Sequence, residues 1–254
     1  GKDAAGETLL EAAAVKGTAV GKRVAECNQA GIDPEIIESP SSALASGARN
    51  FFALGPERGY VVLHIGWRNS SLCILHGRSI NHLGALPFGF EAIAVDIARD
   101  RGVGVQSVIA QARSGGIEAG AHLDRIIREV TIALHRSQAE VNGYVLIPAG
   151  YAEYIHDVPE RFAAAAISND LPELKGVEYQ GPTRDILLSF MATSLAFRGI
   201  DTVDMMNFRK GDQAFSKHME IFKVFMGFWG KMLIALIVVW AIGFGTDIGL
   251  KLQL

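Results

Sequence analysis

Only two cysteines occur in 254 residues, Cys27 and Cys73. Both sit in apolar contexts, which excludes a disulfide framework and suits buried thiols in a reducing compartment. Positive charge is not in excess either: 24 Lys and Arg against 27 Asp and Glu give a net charge of −3, so no global basic field points to nucleic acid. The chain lacks a Gly-x-Ser-x-Gly nucleophile turn, a phosphate-loop lysine motif and a dinucleotide fingerprint. Its seven histidines form no metal set, because His64, His76 and His82 fall on neighbouring expected strands with no Cys or carboxylate at ligand spacing. No charged-then-apolar signal peptide follows Gly1, and the chain is expected to be a fragment at its N-terminus.

What the chain does have is apolar sequence, 49% of its residues, enough for one large or two modest cores. Tyr60–Leu75 organises it: five β-formers lead into Gly66, a polar turn follows from Trp67 to Ser71, and a second apolar run begins. Arg78–Leu86 supplies a third strand, so the stretch predicts a meander. Before it, Thr8–Val15 is a short apolar run, strand or helix. Thr18–Ala30 has helical spacing and stops at Gly31, Ile32–Glu38 reads as a short strand, and Ser39 or Ser41 caps a helix over Ala43–Phe52. After the meander, helices are expected over Glu91–Arg101, Val105–Arg113 and Ala119–Asn142. A four-residue strand follows at Tyr144–Ile147. Then come a helix over Tyr151–Ala166 interrupted at Pro159, a short strand at Val177–Tyr179, and one helix over Asp185–Arg198 ending at Gly199.

Composition changes at Asp201. Asn207–Asp212 is a polar joint, and Val224–Thr246 is a 23-residue apolar segment containing only Lys231. A buried core helix would be the ordinary reading of a shorter run, but this one is apolar on every face. It predicts a transmembrane helix, with a lysine near one end able to snorkel. Arg209, Lys210, Lys217, Lys223 and Lys231 precede it and only Lys251 follows, which orients the N-terminal part to the cytoplasm.

Two stretches are candidates for phosphate chemistry. In the first, the backbone N–H groups of Gly66 to Asn69 could wrap a phosphate. An acid two places before Gly66 would hold the accompanying magnesium, and His64 stands there, a poor ligand for a hard cation. Arg68 could meet a phosphate without metal. An ordinary buried hairpin accounts for the same residues, and is preferred. In the second, Val145–Ala152, a strand ends in small residues, Ala149 and Gly150, before a helix N-terminus; an ordinary strand–helix joint has the same composition.

The order of V-V-L-H-I-G (Val61–Gly66), P-F-G-F-E-A (Pro87–Ala92), the long Arg-studded helix, V-L-I-P-A-G-Y-A (Val145–Ala152) and S-L-A-F-R-G (Ser194–Gly199) resembles the second half of an actin-like domain. The likeness is to the PilM and GspL families of type IV pilus and type II secretion machines. It implies an α/β, actin-like ATPase fold of the ribonuclease H kind, followed by one transmembrane helix. Residues 1–59 would end a first subdomain or form an inserted module, and 60–200 the second subdomain. Residues 201–223 would be the joint, 224–246 the span and 247–254 the start of a periplasmic part. Active members of the wider fold carry Asp where His64 stands and Gly-Gly where Ala149–Gly150 stands. The resemblance thus implies a degenerate nucleotide cleft at His64, Gly66, Arg68, Ala149 and Gly150, with no cofactor and no catalysis expected and residual ATP binding left open.

N-F-R-K-G-D-Q-A-F (Asn207–Phe215) resembles the segment leading into the membrane in GspL-type proteins. The implied role is a non-enzymatic scaffold of a type II secretion platform in the bacterial inner membrane. Its partners would be the cytoplasmic secretion ATPase and a bitopic platform subunit, and a homodimer or higher oligomer is expected. The alternatives are a type IV pilus alignment protein, with a PilM-like domain fused to its membrane partner, and a membrane-anchored ATP-binding protein of the actin fold.

Overall fold

The computed structural model describes residues 15–137, 143–175, 182–198 and 207–209, together with Phe225 and Met232. The described residues fall into two compact units, one built from 38–198 and the other from 15–37 and 207–209.

The larger unit is a five-stranded sheet with helices on both faces. Strands β1 (Gly59–Ile65), β2 (Ser70–His76) and β3 (Ser79–Leu86) form the expected antiparallel meander. Strands β4 (Tyr144–Gly150) and β5 (Ile167–Ser168) join it in parallel, giving the order β3-β2-β1-β4-β5. Because side chains alternate along a strand, β1 serves two cores at once. Val61, Leu63 and Ile65 point into one, with α3 (Phe90–Arg101), α4 (Val105–Gly115), α5 (Asp124–Ser137) and α6 (Val158–Ala163) packed over them. Tyr60 and Val62 point into the other, under α2 (Pro40–Phe51), α7 (Thr183–Leu188) and α8 (Phe190–Arg198). A central strand covered on both sides has no polar face to show, and β1 is buried throughout except at His64, which is half-buried.

Helix α2 begins where a capping serine predicts: the Ser39 hydroxyl accepts the Ser42 N–H at 3.2 Å. Its Ala, Ser and Gly residues let it lie close to α8. A Cβ on Gly47 would collide with the Ser194 side chain, and the Phe190 ring lies 5.9 Å from both Phe51, edge-on, and Phe52, tilted.

Several expected boundaries move, each for a local reason. The helix expected from Ala119 begins as a 3₁₀ turn at Gly120–Leu123, and α5 starts only at Asp124: Gly120 has φ +54°, outside the helical region, and the Asp157 carboxylate holds this entry by accepting the N–H groups of Ala119 and Gly120. Strand β4 runs three residues past Ile147. Beyond Val145 its outer edge has no strand partner among the described residues, since β5 ends at Ser168, and there Pro148 is tolerated. Tyr151–Ala166 is not one helix but a 3₁₀ turn, Tyr151–Tyr154, followed by α6, which Pro159 initiates rather than interrupts. The helix expected over Asp185–Arg198 is broken at Ser189, whose hydroxyl donates back to Asp185 O at 2.7 Å.

In the smaller unit α1 (Gly17–Gln29) follows its predicted course, and Gly31 ends it in the left-handed region. Ile32–Glu38 is not a strand. Pro34 has no N–H, and the groups that a ladder would use are taken by residues 207–209: Ile37 N–H by Asn207 Oδ1, Glu35 O by Asn207 Nδ2, Pro34 O by Arg209. The expected strand at Val177–Tyr179, most of Thr8–Val15, and the span Val224–Thr246 apart from Phe225 and Met232 lie outside the described residues. Among the described residues no helix is long and apolar enough to cross a membrane.

Candidate functional site

Parallel pairing of β1 with β4 brings the two sequence candidates side by side. His64 is opposite Ala149 and Ile65 opposite Gly150, so both end at the carboxyl edge of the sheet, where open α/β sheets place their ligands. Gly150 has φ +64° and ψ −133°, a conformation that L side chains resist. A Cβ there would stand 2.7 Å from the His64 ring and from Ile65 O. His64 therefore lies directly beneath the Gly150 backbone, and burial holds its imidazole below the ordinary histidine range, in the neutral form.

The turn after β1 is used by the protein itself. Gly66 N–H donates to Asn69 O at 3.1 Å, closing the turn. The carbonyls of Gly66 and Trp67 then accept the N–H groups of Phe90 and Glu91, each at 2.9 Å, so the turn caps the start of α3. Gly89 permits this approach, since a Cβ on it would strike the carbonyl oxygens of Gly66 and Trp67. Arg68 points outward to Glu91, 3.4 Å away, with the two side chains 78% and 41% exposed. Such a pair is a solvated surface contact.

Sequence reasoning missed what fills the space above the strand ends. Trp67 from the turn, Phe90 from α3, and Tyr151 and Tyr154 from the 3₁₀ turn after β4 form one aromatic cluster. Phe90 and Tyr151 stack at 5.0 Å, and Trp67 stands 6.0 and 5.7 Å from them. The Tyr151–Tyr154 spacing was a local signal for half of this cluster, but its pairing with residues some 60 to 85 positions earlier was not. Sequence reasoning also missed a cleft of about 320 Å³ beyond β4, lined by Pro148, Glu153, His156, Asn169, Thr183 and Arg184 among others. Burial raises the Glu153 carboxyl above its ordinary range, opposed by the Arg184 guanidinium, which also lies 5.8 Å over the Tyr154 ring. Among the described residues no group of three His, Cys, Asp or Glu could hold a metal ion.

The sheet of this order between two helical layers is a mixed α/β fold of the actin-like kind, as its likeness to solved structures shows. Among solved structures the chain is similar to the PilM-PilN type IV pilus biogenesis complex (19% identity over 72% of this chain and 58% of that one, TM-score 0.51). It is also similar to MreB5 of Spiroplasma citri bound to AMPPNP (13% identity over 72% of this chain and 65% of that one, TM-score 0.53). The chain thus spans less than two thirds of either structure. No protein-family model and no curated protein matches it.

Proposed function

We propose that the chain is a non-enzymatic scaffold of a type II secretion platform, the GspL-type reading of the sequence resemblance. In this reading the actin-like unit docks the cytoplasmic secretion ATPase. The segment from Asn207 onward leads into a single inner-membrane span that pairs with a bitopic subunit.

The observation that carries the scaffold reading is the state of the carboxyl edge of β1 and β4. A magnesium-bound nucleotide needs a hard oxygen ligand, free backbone donors and room. In place of the hard ligand stands His64 under Gly150, its imidazole pushed by burial towards the neutral form; Gly66 N–H is already bonded to Asn69 O, and the Trp67–Phe90–Tyr151 cluster adjoins the turn. His64 at that place does not fit a magnesium-bound nucleotide.

A second reading, type IV pilus alignment, is favoured by one observation: the fold is similar to that of PilM in complex with PilN. Both readings share the absence of ATP turnover. Titrating the full chain, purified in detergent, with Mg-ATP should give no calorimetric signal at micromolar ligand. Binding with turnover would sink the scaffold reading in favour of a membrane-anchored ATPase. Crosslinking in native membranes then separates the other two, through recovery of either a secretion ATPase or pilus subunits.

A further inference from the structure

The smaller unit contains a polar clasp unrelated to the sheet ends. Asn207 uses both ends of its amide: Oδ1 accepts from Ile37 N–H at 3.2 Å and from Arg209 N–H at 2.9 Å, and Nδ2 donates to Glu35 O at 3.2 Å. Phe208 N–H donates to Ile37 O at 2.7 Å. Arg209 Nη1 meets Asp33 Oδ1 at 2.7 Å and also the Pro34 carbonyl. The Arg209 side chain is only 8% exposed and that of Asp33 41%.

We propose that Asp33 and Arg209 are the specificity-determining pair of this clasp. Residues 33–37 accept a segment of this same chain that carries arginine two places after an asparagine, and they discriminate against lysine or an acid at that place. The backbone bonds at residues 35–37 are offered to any chain that brings a suitably placed amide, so they supply attachment without reading the rest of the segment. Arg209 adds the reading. A guanidinium taken this far out of water must keep its charge matched, and its Nη1 meets the Asp33 carboxylate and the Pro34 carbonyl together. An ammonium is more strongly hydrated and lacks the rigid planar fork, so it loses more on burial at the same place. An acid at residue 209 would face Asp33 across the same gap. The joint at residues 207–209 is therefore held in one register on residues 33–37, whichever apparatus the whole protein serves.

Hydrogen exchange of the full chain in mild detergent tests this at two reporters, the amides of Ile37 and Phe208. Arg209→Glu should speed exchange at both by roughly tenfold or more, and Arg209→Lys should do so by a smaller factor. The swapped pair D33R/R209D should return both to within about threefold of wild type. Protection of the α1 amides at wild-type level, in the same unit as the clasp, reports that each variant is folded. Wild-type protection of Ile37 and Phe208 in Arg209→Glu would overturn the proposal, as would a swapped pair no better protected than the single variants. Arg209→Lys, which keeps the charge and has the least reason to misfold, would overturn the arginine preference if it exchanged like wild type.

Discussion

Strands β1 and β4 pass side by side through two different environments. Over Tyr60–Leu63 and Val145–Ile147 every side chain is buried, and alternation assigns each to one of two apolar cores. One step further, at His64–Ile65 and Ala149–Gly150, the same strands meet a ring stacked under a backbone and a turn whose carbonyls cap a helix. In the middle of the strands, volume is what matters, and another apolar residue of similar size would serve. At their ends the backbone conformation of one glycine decides whether a histidine fits at all.

The comparison can be broken most strongly from the core side. Leu63→Ala should cost roughly 2–5 kcal/mol in denaturant unfolding, since the buried site has helices over it and little freedom to collapse. Next comes Gly150→Ala, which should cost about 2–4 kcal/mol: a left-handed backbone acquires a Cβ and the Cβ meets the His64 ring. If the cost at Gly150 is mostly the ring contact, adding His64→Ala should recover part of it. If none is recovered, the backbone conformation and the approach to Ile65 O set the value.

A third effect is one of pH. Burial depresses the His64 pKa in the folded chain, so its contribution to stability is full above the unfolded histidine pKa of about 6.5 and is lost as pH falls through the folded value. Wild type should therefore lose stability relative to His64→Gln as the medium is acidified from neutrality, measured as the difference between their unfolding midpoints. A difference that stays constant with pH would show that the imidazole is not held neutral by the fold. The smallest effect belongs to Arg68→Ala, expected to change stability by no more than about 0.5 kcal/mol, because its pairing with Glu91 is open to solvent.

The parts of the fold readable in the sequence are those whose cause is local. The meander Tyr60–Leu86 announces itself by apolar runs and turns, α2 by Ser39, and the end of α1 by Gly31. The parts that were not readable depend on atoms far along the chain. Ile32–Glu38 has strand composition, but its hydrogen-bonding groups are taken by side chains from residues 207 and 209. Asp157 fixes the entry to a helix that begins some 35 residues before it, by accepting the N–H groups of Ala119 and Gly120. The site shows the same division. His64, Gly66, Ala149 and Gly150 were found from their motifs and do converge. Arg68 stands apart on the surface, and the cluster of Trp67, Phe90, Tyr151 and Tyr154 is assembled from three elements that no spacing rule connects.

The close packing of α2 against α8 sets an order of events during synthesis. Phe51 and Phe52 are made early, yet their ring partner Phe190 follows about 140 residues later. At ribosomal rates that interval is on the order of ten seconds. Through it, one face of the young sheet and the small-residue side of α2 stay open, offering aromatic surface to any chaperone or unwanted neighbour. The unit can shut only after α8 has emerged, so a nascent chain halted before residue 190 would be sticky and a chain carried past it would not.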